Sequence, residues 1–317
     1  MQAVFLDYAT VSHSDLDTAG LLRVLPALTF HAATAAGDVA LRLREAECVL
    51  LNKTPLTREH LEAATRLRLI ALAATGTDHI DLRAAEELRI GVCNVRAYCT
   101  PSVVQHAWAM ILYLTQSLRA YRQLAVGGAW REGALPMLHA VPIRELAGRT
   151  LGVIGWGELG RGVAHVAEAL GMRVIIAARR GDAPVAGRLA FADVLRLADI
   201  VSLHCPLTAA TRGLIGAAEL ALMKPDALLI NTARGALVDT AALAAALKAG
   251  RLGGAGFDVL PQEPPQAGDP LLDPSVPNLL VTPHIAWAAR DARQRCVDQM
   301  AANIRDFLGG GRAGRIV

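Results

Sequence analysis

Arg234, Glu263 and His284 combine side chains that together could bind and reduce a carbonyl compound carrying a carboxylate. The planar guanidinium of arginine binds a carboxylate through two parallel hydrogen bonds and stays charged at physiological pH. Histidine ordinarily titrates at about pH 6.5, so it can exchange a proton with a carbonyl oxygen of a substrate. A neighbouring glutamate favours the protonated imidazole and fixes its orientation. The three residues therefore suit the reduction of a 2-keto acid, although each alone is more often structural.

A glycine-rich segment upstream could bind the reductant. Gly155, Gly157 and Gly160 have the spacing G-x-G-x-x-G, after the apolar segment 151–154 and before the helical pattern 161–170. In this setting the first glycine permits a tight turn, the second leaves room for a pyrophosphate, and the third lets helix and strand pack closely. The helix N-terminus then offers free N–H groups to the phosphates. The spacing predicts a dinucleotide site that also includes Glu158 and Leu159; the alternative is a glycine-rich turn without a ligand.

The next predicted strand runs into Ala178, Arg179 and Arg180, and this ending bears on which dinucleotide binds. Enzymes that prefer NAD usually carry Asp or Glu there, to accept hydrogen bonds from the ribose hydroxyls, whereas arginine suits the 2′-phosphate of NADP. Ala178 stands at the acidic position and two arginines follow it. NADP(H) is therefore the favoured cofactor, with NAD(H) as the alternative.

A parallel sheet would position these residues. Short apolar segments alternate with helix-period segments along the chain, which is typical of parallel sheets covered by helices on both faces. The predicted strands are 3–6, 48–51, 69–73 and 91–95, followed by 150–154, 173–177, 200–204, 227–231, 253–257 and 278–282. Ligands bind beyond the carboxyl ends of such strands. Arg234, Glu263 and His284 should therefore converge, because they follow the fourth, fifth and sixth strands of the second series.

Composition excludes several other classes of protein. Hydrophobic residues make up 53% of the 317 residues and charged residues 19%, which predicts folded cores rather than disorder. A formal net charge of +3 predicts neither nucleic acid nor an anionic membrane as a partner. The longest uncharged stretch, 97–118, contains Pro101, Gln105 and His106, and is expected to be a buried helix rather than a membrane span. The five cysteines are scattered and form no Cys-x-x-Cys pair, so the sequence predicts neither a metal site nor a disulfide framework. Together with the lack of a visible signal peptide, this predicts a cytoplasmic location.

The chain resembles the D-isomer-specific 2-hydroxyacid dehydrogenase family over essentially its whole length. The motifs that carry the resemblance are 74–81 (ATGTDHID), 155–160 (GWGELG), 204–208 (HCPLT), 223–225 (MKP), 231–235 (NTARG), 258–264 (DVLPQEP) and 282–284 (TPH). The resemblance implies that Arg234 binds and polarises the substrate, that His284 donates and accepts the proton, and that Glu263 supports this histidine.

The same resemblance implies further contacts to substrate and cofactor. The backbone of Ala74, Thr75 and Gly76 would hold the substrate carboxylate, and Asp258 would bind the nicotinamide carboxamide. The remaining residues that would line the cofactor are Val104, Cys205, Pro206 and Thr232.

Within the family, the chain looks most like the glycerate dehydrogenase/hydroxypyruvate reductase branch, on segments 51–53, 102–106, 142–146 and 284–287. The expected substrate is therefore a small 2-keto acid or D-2-hydroxy acid of the hydroxypyruvate or glyoxylate type. Glu263 argues against the similar formate dehydrogenase branch, which carries glutamine as the partner of the histidine. The alternative function is a dinucleotide-sensing, corepressor-like binding protein on the same fold.

The family also implies a domain plan and an assembly. The fold class is α/β, with two doubly wound parallel-sheet domains. Residues 1–98 and 288–317 would form a discontinuous, flavodoxin-like substrate domain, into which residues 99–287 are inserted as a Rossmann cofactor domain. The helix 101–118 and the arm 127–146 resemble the elements through which family members form homodimers.

Overall fold

A computed structural model describes residues 1–128, 130 and 141–317 of the chain. These residues divide into two compact units. The terminal unit comprises Met1–Cys99 and Trp287–Val317, and the central unit comprises Thr100–Ala286. In the part of the chain that the structure describes, no helix has the length and apolar character needed to cross a membrane.

The strands and helices alternate along most of the chain, as the sequence predicts. The strands are β1 (Gln2–Phe5), β2 (Ala27–Phe30), β3 (Cys48–Leu51), β4 (Leu69–Leu72), β5 (Gly91–Cys93), β6 (Thr150–Ile154), β7 (Arg173–Ile176), β8 (Ile200–Leu203), β9 (Leu228–Asn231), β10 (Gly254–Phe257) and β11 (Leu279–Val281). The helices are α1 (Ala19–Val24), α2 (Val39–Leu43), α3 (Arg58–Ala63), α4 (Leu82–Glu87), α5 (Thr100–Thr115), α6 (Leu118–Val126), α7 (Glu158–Ala169), α8 (Phe191–Leu197), α9 (Ala217–Leu220), α10 (Thr240–Lys248) and α11 (Arg290–Leu308).

The terminal unit is built on a parallel sheet with the order β2-β1-β3-β4-β5, which is the flavodoxin-like order. Successive strand residues point to opposite faces. Phe5 and Leu50 therefore join a core with α1 and α11, whereas Val4 and Val49 join a second core with α2 and α3. Burial on both faces explains why β1, β3 and β4 read as continuous apolar runs.

The sequence pattern misses one strand of this sheet, β2. Its residues Ala27–Phe30 follow Pro26 and lie at the edge of the sheet, paired only with β1 among the described strands. Only Leu28 within it is buried. An edge strand that is half exposed carries neither the continuous apolar run of a buried strand nor a clear alternation, so its signal is weak.

The central unit is a second parallel sheet, with the order β11-β10-β9-β8-β6-β7. Helices α5 and α7 pack on one face, and α8, α9 and α10 pack on the other. Beyond β7 the sheet continues as a single parallel bridge between Ala177 and Leu189. The strand order reverses between β6 and β8, which is where open α/β sheets bind ligands.

The helix predicted over 101–118 is α5, which ends at Thr115, and a second helix, α6, begins at Leu118. Ser117 has a left-handed φ of +49°, which no helix can continue through, so α5 ends before it and α6 starts after it. The predicted arm 127–146 is only partly described, because residues 129 and 131–140 lie outside the described residues. Beside that gap, Val126 and Trp130 are 71% and 74% exposed.

Candidate active site

His284 and Glu263 form a hydrogen-bonded pair in the central unit. His284 follows β11, and Glu263 lies in the loop after β10. The Nδ1 atom of His284 is 2.5 Å from Oε2 of Glu263, and the other carboxylate oxygen accepts the Leu260 N–H at 3.0 Å. Because a carboxylate only accepts, Nδ1 carries the hydrogen of this bond. The Nε2 atom of His284 is therefore the atom that can give or take a proton.

Arg234 follows β9 in a turn that Asn231 shapes. The Asn231 side chain accepts the Ala233 N–H at 3.0 Å and donates to the Arg234 carbonyl at 3.0 Å. The next residue, Gly235, touches the loop of Glu263 directly: a Cβ there would lie 2.0 Å from the carbonyl carbon of Leu260. The loops that carry the guanidinium and the carboxylate thus meet backbone to backbone. Sequence reasoning gave Asn231 no role, although its position at the end of β9 is a signal for one.

A cleft of about 490 Å³ opens beside the His284–Glu263 pair. Its lining includes Asp258, Leu260, Glu263, Pro264, Thr282 and His284. The cleft therefore contains both members of the proton-exchange pair and a mostly apolar wall, which is typical of small-molecule sites. Among the described residues that line this cleft, Arg234 is not included.

Asp258 is 1% exposed and holds the segment that carries His284. Its Oδ1 accepts the Thr282 hydroxyl at 2.6 Å and the Ile285 N–H at 2.9 Å, and its Oδ2 accepts the Ala286 N–H at 2.8 Å. These bonds satisfy most of the carboxylate. Its contact with a carboxamide stays a prediction.

The glycine loop has the geometry that a pyrophosphate needs. Gly155, after β6, has a left-handed φ of +102°, and a Cβ there would lie 2.5 Å from the nitrogen of Cys205. A Cβ on Gly160, in α7, would lie 2.1 Å from the Gly155 carbonyl oxygen. By contrast, a Cβ on Gly157 would meet nothing within 4 Å. The loop is therefore closed where chain packs on chain and open in front of the N-terminus of α7, where an anion is favoured.

Two polar side chains that directly follow β8 and β9 suit a bound ligand. Within the described residues, the buried Thr232 hydroxyl and Nδ1 of His204 have no hydrogen-bond partner. The other ring nitrogen of His204 lies 2.8 Å from the Ser202 hydroxyl. Burial lowers the pKa of the His204 imidazole to about 4, so this ring is neutral at pH 7. Buried polar atoms without partners are rare and need an explanation, and a bound dinucleotide would provide one.

Other residues predicted at the cofactor have varied surroundings. Val104 packs on α7, where a Cβ on Gly162 would lie 2.6 Å from its Cγ2. The Glu158 carboxylate accepts the Thr100 hydroxyl at 2.5 Å. The backbone N–H of Glu158 lies in the first turn of α7, where N–H groups have no acceptor within the helix. Pro206 is exposed. Burial raises the pKa of the Cys205 thiol, so this thiol stays protonated.

The two arginines after β7 differ in their contacts. Arg180 is 2.7 Å from Oε1 of Glu219, whose other oxygen accepts the Gly216 N–H at 3.0 Å. Arg179 is exposed, and the described part of the chain gives it no ion pair. Arg180 is thus held by a carboxylate that no local sequence signal indicates, whereas the charge of Arg179 is available to a ligand.

In the terminal unit, Ala74, Thr75 and Gly76 follow β4 and are held by the segment after β5. The Thr75 hydroxyl donates to the Val95 carbonyl at 2.7 Å, and Asn94 donates to the Thr75 carbonyl at 2.7 Å. Among the described residues, the N–H groups of Thr75 and Gly76 have no acceptor. Successive free N–H groups in a bent backbone form an anion site.

Comparisons with known proteins agree on one family. The family model for the D-isomer specific 2-hydroxyacid dehydrogenase NAD binding domain matches residues 108–286. A glycerate dehydrogenase from Methylorubrum extorquens is 43% identical over 273 residues, covering 86% of each chain. A hydroxypyruvate reductase from Blautia hydrogenotrophica is 32% identical over 316 residues, covering 98% of each. Among solved structures, an acyclic imino acid reductase in complex with NADPH and D-Arg has a TM-score of 0.87 and 26% identity, covering 100% of both chains.

Proposed function

Because the chain belongs to the D-isomer-specific 2-hydroxyacid dehydrogenase family, whose members act on CH–OH groups, we propose that it reduces hydroxypyruvate or glyoxylate with a nicotinamide dinucleotide. The observation that carries the proposal is the hydrogen-bonded pair of His284 and Glu263, both of which line one cleft in the central unit. The dinucleotide-sensing alternative is not favoured, because the relatives that match most of this chain are named as a dehydrogenase and a reductase.

The proton step follows from the geometry of this pair. When bound, the reduced nicotinamide supplies the hydride that adds to the substrate's carbonyl carbon. The carbonyl oxygen gains negative charge at that moment, and Nε2–H of the protonated His284 gives it a proton. Glu263 stabilises the imidazolium and holds the ring through Nδ1, at 2.5 Å. In the oxidative direction the neutral ring accepts the hydroxyl proton through the same atom.

Each unit, taken by itself, offers donors that suit a carboxylate. In the central unit, Arg234 offers a permanently charged guanidinium at the end of β9. In the terminal unit, the N–H groups of Thr75 and Gly76 are unused within the described chain. We assign the terminal unit as the substrate domain and the central unit as the cofactor domain.

NADP(H) is the proposed cofactor. Its support is the absence of a carboxylate at Ala178 and the exposed Arg179, whose charge suits a 2′-phosphate. A structural relative solved with NADPH is consistent with this assignment.

We also propose a homodimer in the cytoplasm. Val126 and Trp130 expose large apolar side chains beyond α5, and a partner subunit would cover them. The five cysteines are free thiols, which suits a reducing compartment. Size-exclusion chromatography with light scattering tests the dimer, and a monomer at micromolar concentration would refute it.

Oxidation of NADPH, followed at saturating hydroxypyruvate and glyoxylate, tests the function. We expect turnover by the wild type and a kcat at least about 100-fold lower for His284→Gln, because the variant loses the proton donor. The matched control is His165→Gln, at an exposed position of α7, which should keep wild-type activity. Absence of turnover with any short 2-keto acid, or full activity of His284→Gln, would overturn the proposal.

A further inference from the structure

The turn that carries His284 has a backbone that needs support. His284 has a φ of +56°, in the left-handed region that non-glycine residues seldom occupy. Its N–H donates to the Thr282 carbonyl at 3.0 Å, around Pro283. Such a conformation persists only where the surrounding structure holds it in place.

Two residues one helical turn apart on α5 contact this turn. The Ser102 hydroxyl donates to the Ala286 carbonyl at 2.6 Å. The Nε2 atom of His106 lies 3.0 Å from the Thr282 hydroxyl oxygen. Residues i and i+4 lie on one face of a helix. One face of α5 therefore contacts the chain on both sides of His284.

The direction of the hydrogen bonds gives His106 a defined role. The Asp258 carboxylate only accepts, so the single hydroxyl hydrogen of Thr282 is used in the 2.6 Å bond to Asp258. The Thr282 oxygen must then accept from His106, whose Nε2 carries the hydrogen. This Nε2 is also 3.5 Å from Oδ1 of Asp258.

The hydrogen bonds continue from Asp258 into the backbone after His284. Asp258 accepts the Ile285 and Ala286 N–H groups at 2.9 and 2.8 Å. A connected series of bonds thus runs from α5 through a hydroxyl and a carboxylate to the peptide groups that set the orientation of His284. Each bond of such a series strengthens its neighbours in a buried setting.

We propose that His106 and Ser102 are positioning residues, which orient His284 for proton exchange by fixing the turn on which it stands. The inference rests on the proposed function for its kinetic consequence, but not for its structural one. His106 acts through Thr282 and Asp258 on the turn of His284, so its loss should lower kcat by a larger factor than it weakens dinucleotide binding.

The test compares His106→Leu, which removes the donor, with His106→Gln, whose amide nitrogen can occupy the place of Nε2. Gln105→Leu is the matched control, at an exposed position of the same helix. Three quantities are measured for each: kcat and KM with hydroxypyruvate, the Kd for NADPH, and the NMR signal of the His284 proton shared with Glu263, recorded without cofactor or substrate. The signal is identified by its loss in His284→Gln.

We expect His106→Leu to lower kcat by about 10- to 100-fold, because a small misplacement of the proton donor is enough for such a loss. Its Kd for NADPH should change by a smaller factor than kcat, and the His284 signal should shift or broaden. His106→Gln should recover most of kcat and the signal. Wild-type kcat with an unchanged signal in His106→Leu would refute the proposal, as would equal losses in both variants.

If His106→Leu does not fold, Thr282→Val and Thr282→Ser carry the same test, because only serine keeps the hydroxyl. The same loss in valine and serine variants would count against the proposal, and recovery in serine would support it. The NMR signal separates the two claims of function and positioning. A shifted His284 signal in a protein that turns over no 2-keto acid would support the positioning role while the proposed function fails.

Discussion

Replacing Gly157 by alanine should separate dinucleotide binding from folding. Gly157 precedes the first residue of α7 with φ −82° and ψ −165°, an extended conformation that alanine adopts without strain. The added methyl would meet no protein atom within 4 Å. The loss of glycine as a helix cap and the gain from a less flexible unfolded chain are each below about 1 kcal/mol and opposite in sign. The free energy of unfolding should therefore change by less than about 1 kcal/mol.

The same methyl would lie in front of the α7 N-terminus, where a pyrophosphate should approach the backbone. A phosphate kept away from the free N–H groups loses hydrogen bonds to a charged partner, each worth about 1.5–3 kcal/mol. Losing one such bond corresponds to a Kd for the dinucleotide that is about 10- to 100-fold higher. The change would be seen with NADPH and NADH alike, because both carry the pyrophosphate.

Isothermal titration with each dinucleotide and chemical denaturation without ligand measure the two effects. Gly37→Ala is the matched control, since its Cβ also meets nothing within 4 Å and its φ is not in the left-handed region. Gly160→Ala marks the opposite case, because its Cβ would lie 2.1 Å from a backbone oxygen and should impair folding. A Gly157→Ala protein that binds NADPH with wild-type affinity would refute the placement of the pyrophosphate.

Three further predictions concern specificity and stability. Arg179→Ala should lower kcat/KM with NADPH by about 10-fold and leave kcat/KM with NADH unchanged. Arg180→Ala loses a partly exposed ion pair and should change kcat/KM with neither cofactor. A wild-type preference for NADH would contradict this reasoning. His204 binds a proton more readily unfolded than folded, since burial lowers its folded pKa to about 4, so stability should fall as the pH drops below about 6.5. Between pH 7 and pH 5 the loss is about 2 kcal/mol by linkage, measured by urea unfolding, and an equal pH dependence in His204→Gln would exclude this origin. Asp7→Asn should destabilise the protein by about 3 kcal/mol. The reason is that the buried carboxylate accepts the three N–H groups of residues 52–54 and the Thr54 hydroxyl. An unchanged denaturation midpoint would show that the amide replaces those bonds.

Strands buried on both faces could be predicted from the sequence, and β3 and β6 match their predicted bounds residue for residue. Glu263 and His284 could be paired because their side-chain chemistries complement each other at successive strand ends. The partner of Arg180 could not be predicted, because Glu219 lies far along the chain and only the folded sheet brings the two together. The end of α5 at Thr115, just before α6 begins, could not be predicted either. It depends on the backbone conformation of Ser117, and an apolar pattern does not report conformation.

The missing side chain at Gly235 has a consequence for engineering. A Cβ at this position would lie 2.0 Å from the Leu260 carbonyl carbon. The loops of Arg234 and Glu263 are therefore packed so closely that they must move together. Changing the size of the accepted substrate by moving either loop would displace the other, and with it the acid–base group. Libraries that aim at a new 2-keto acid should therefore keep these two loops intact and vary the residues that surround them.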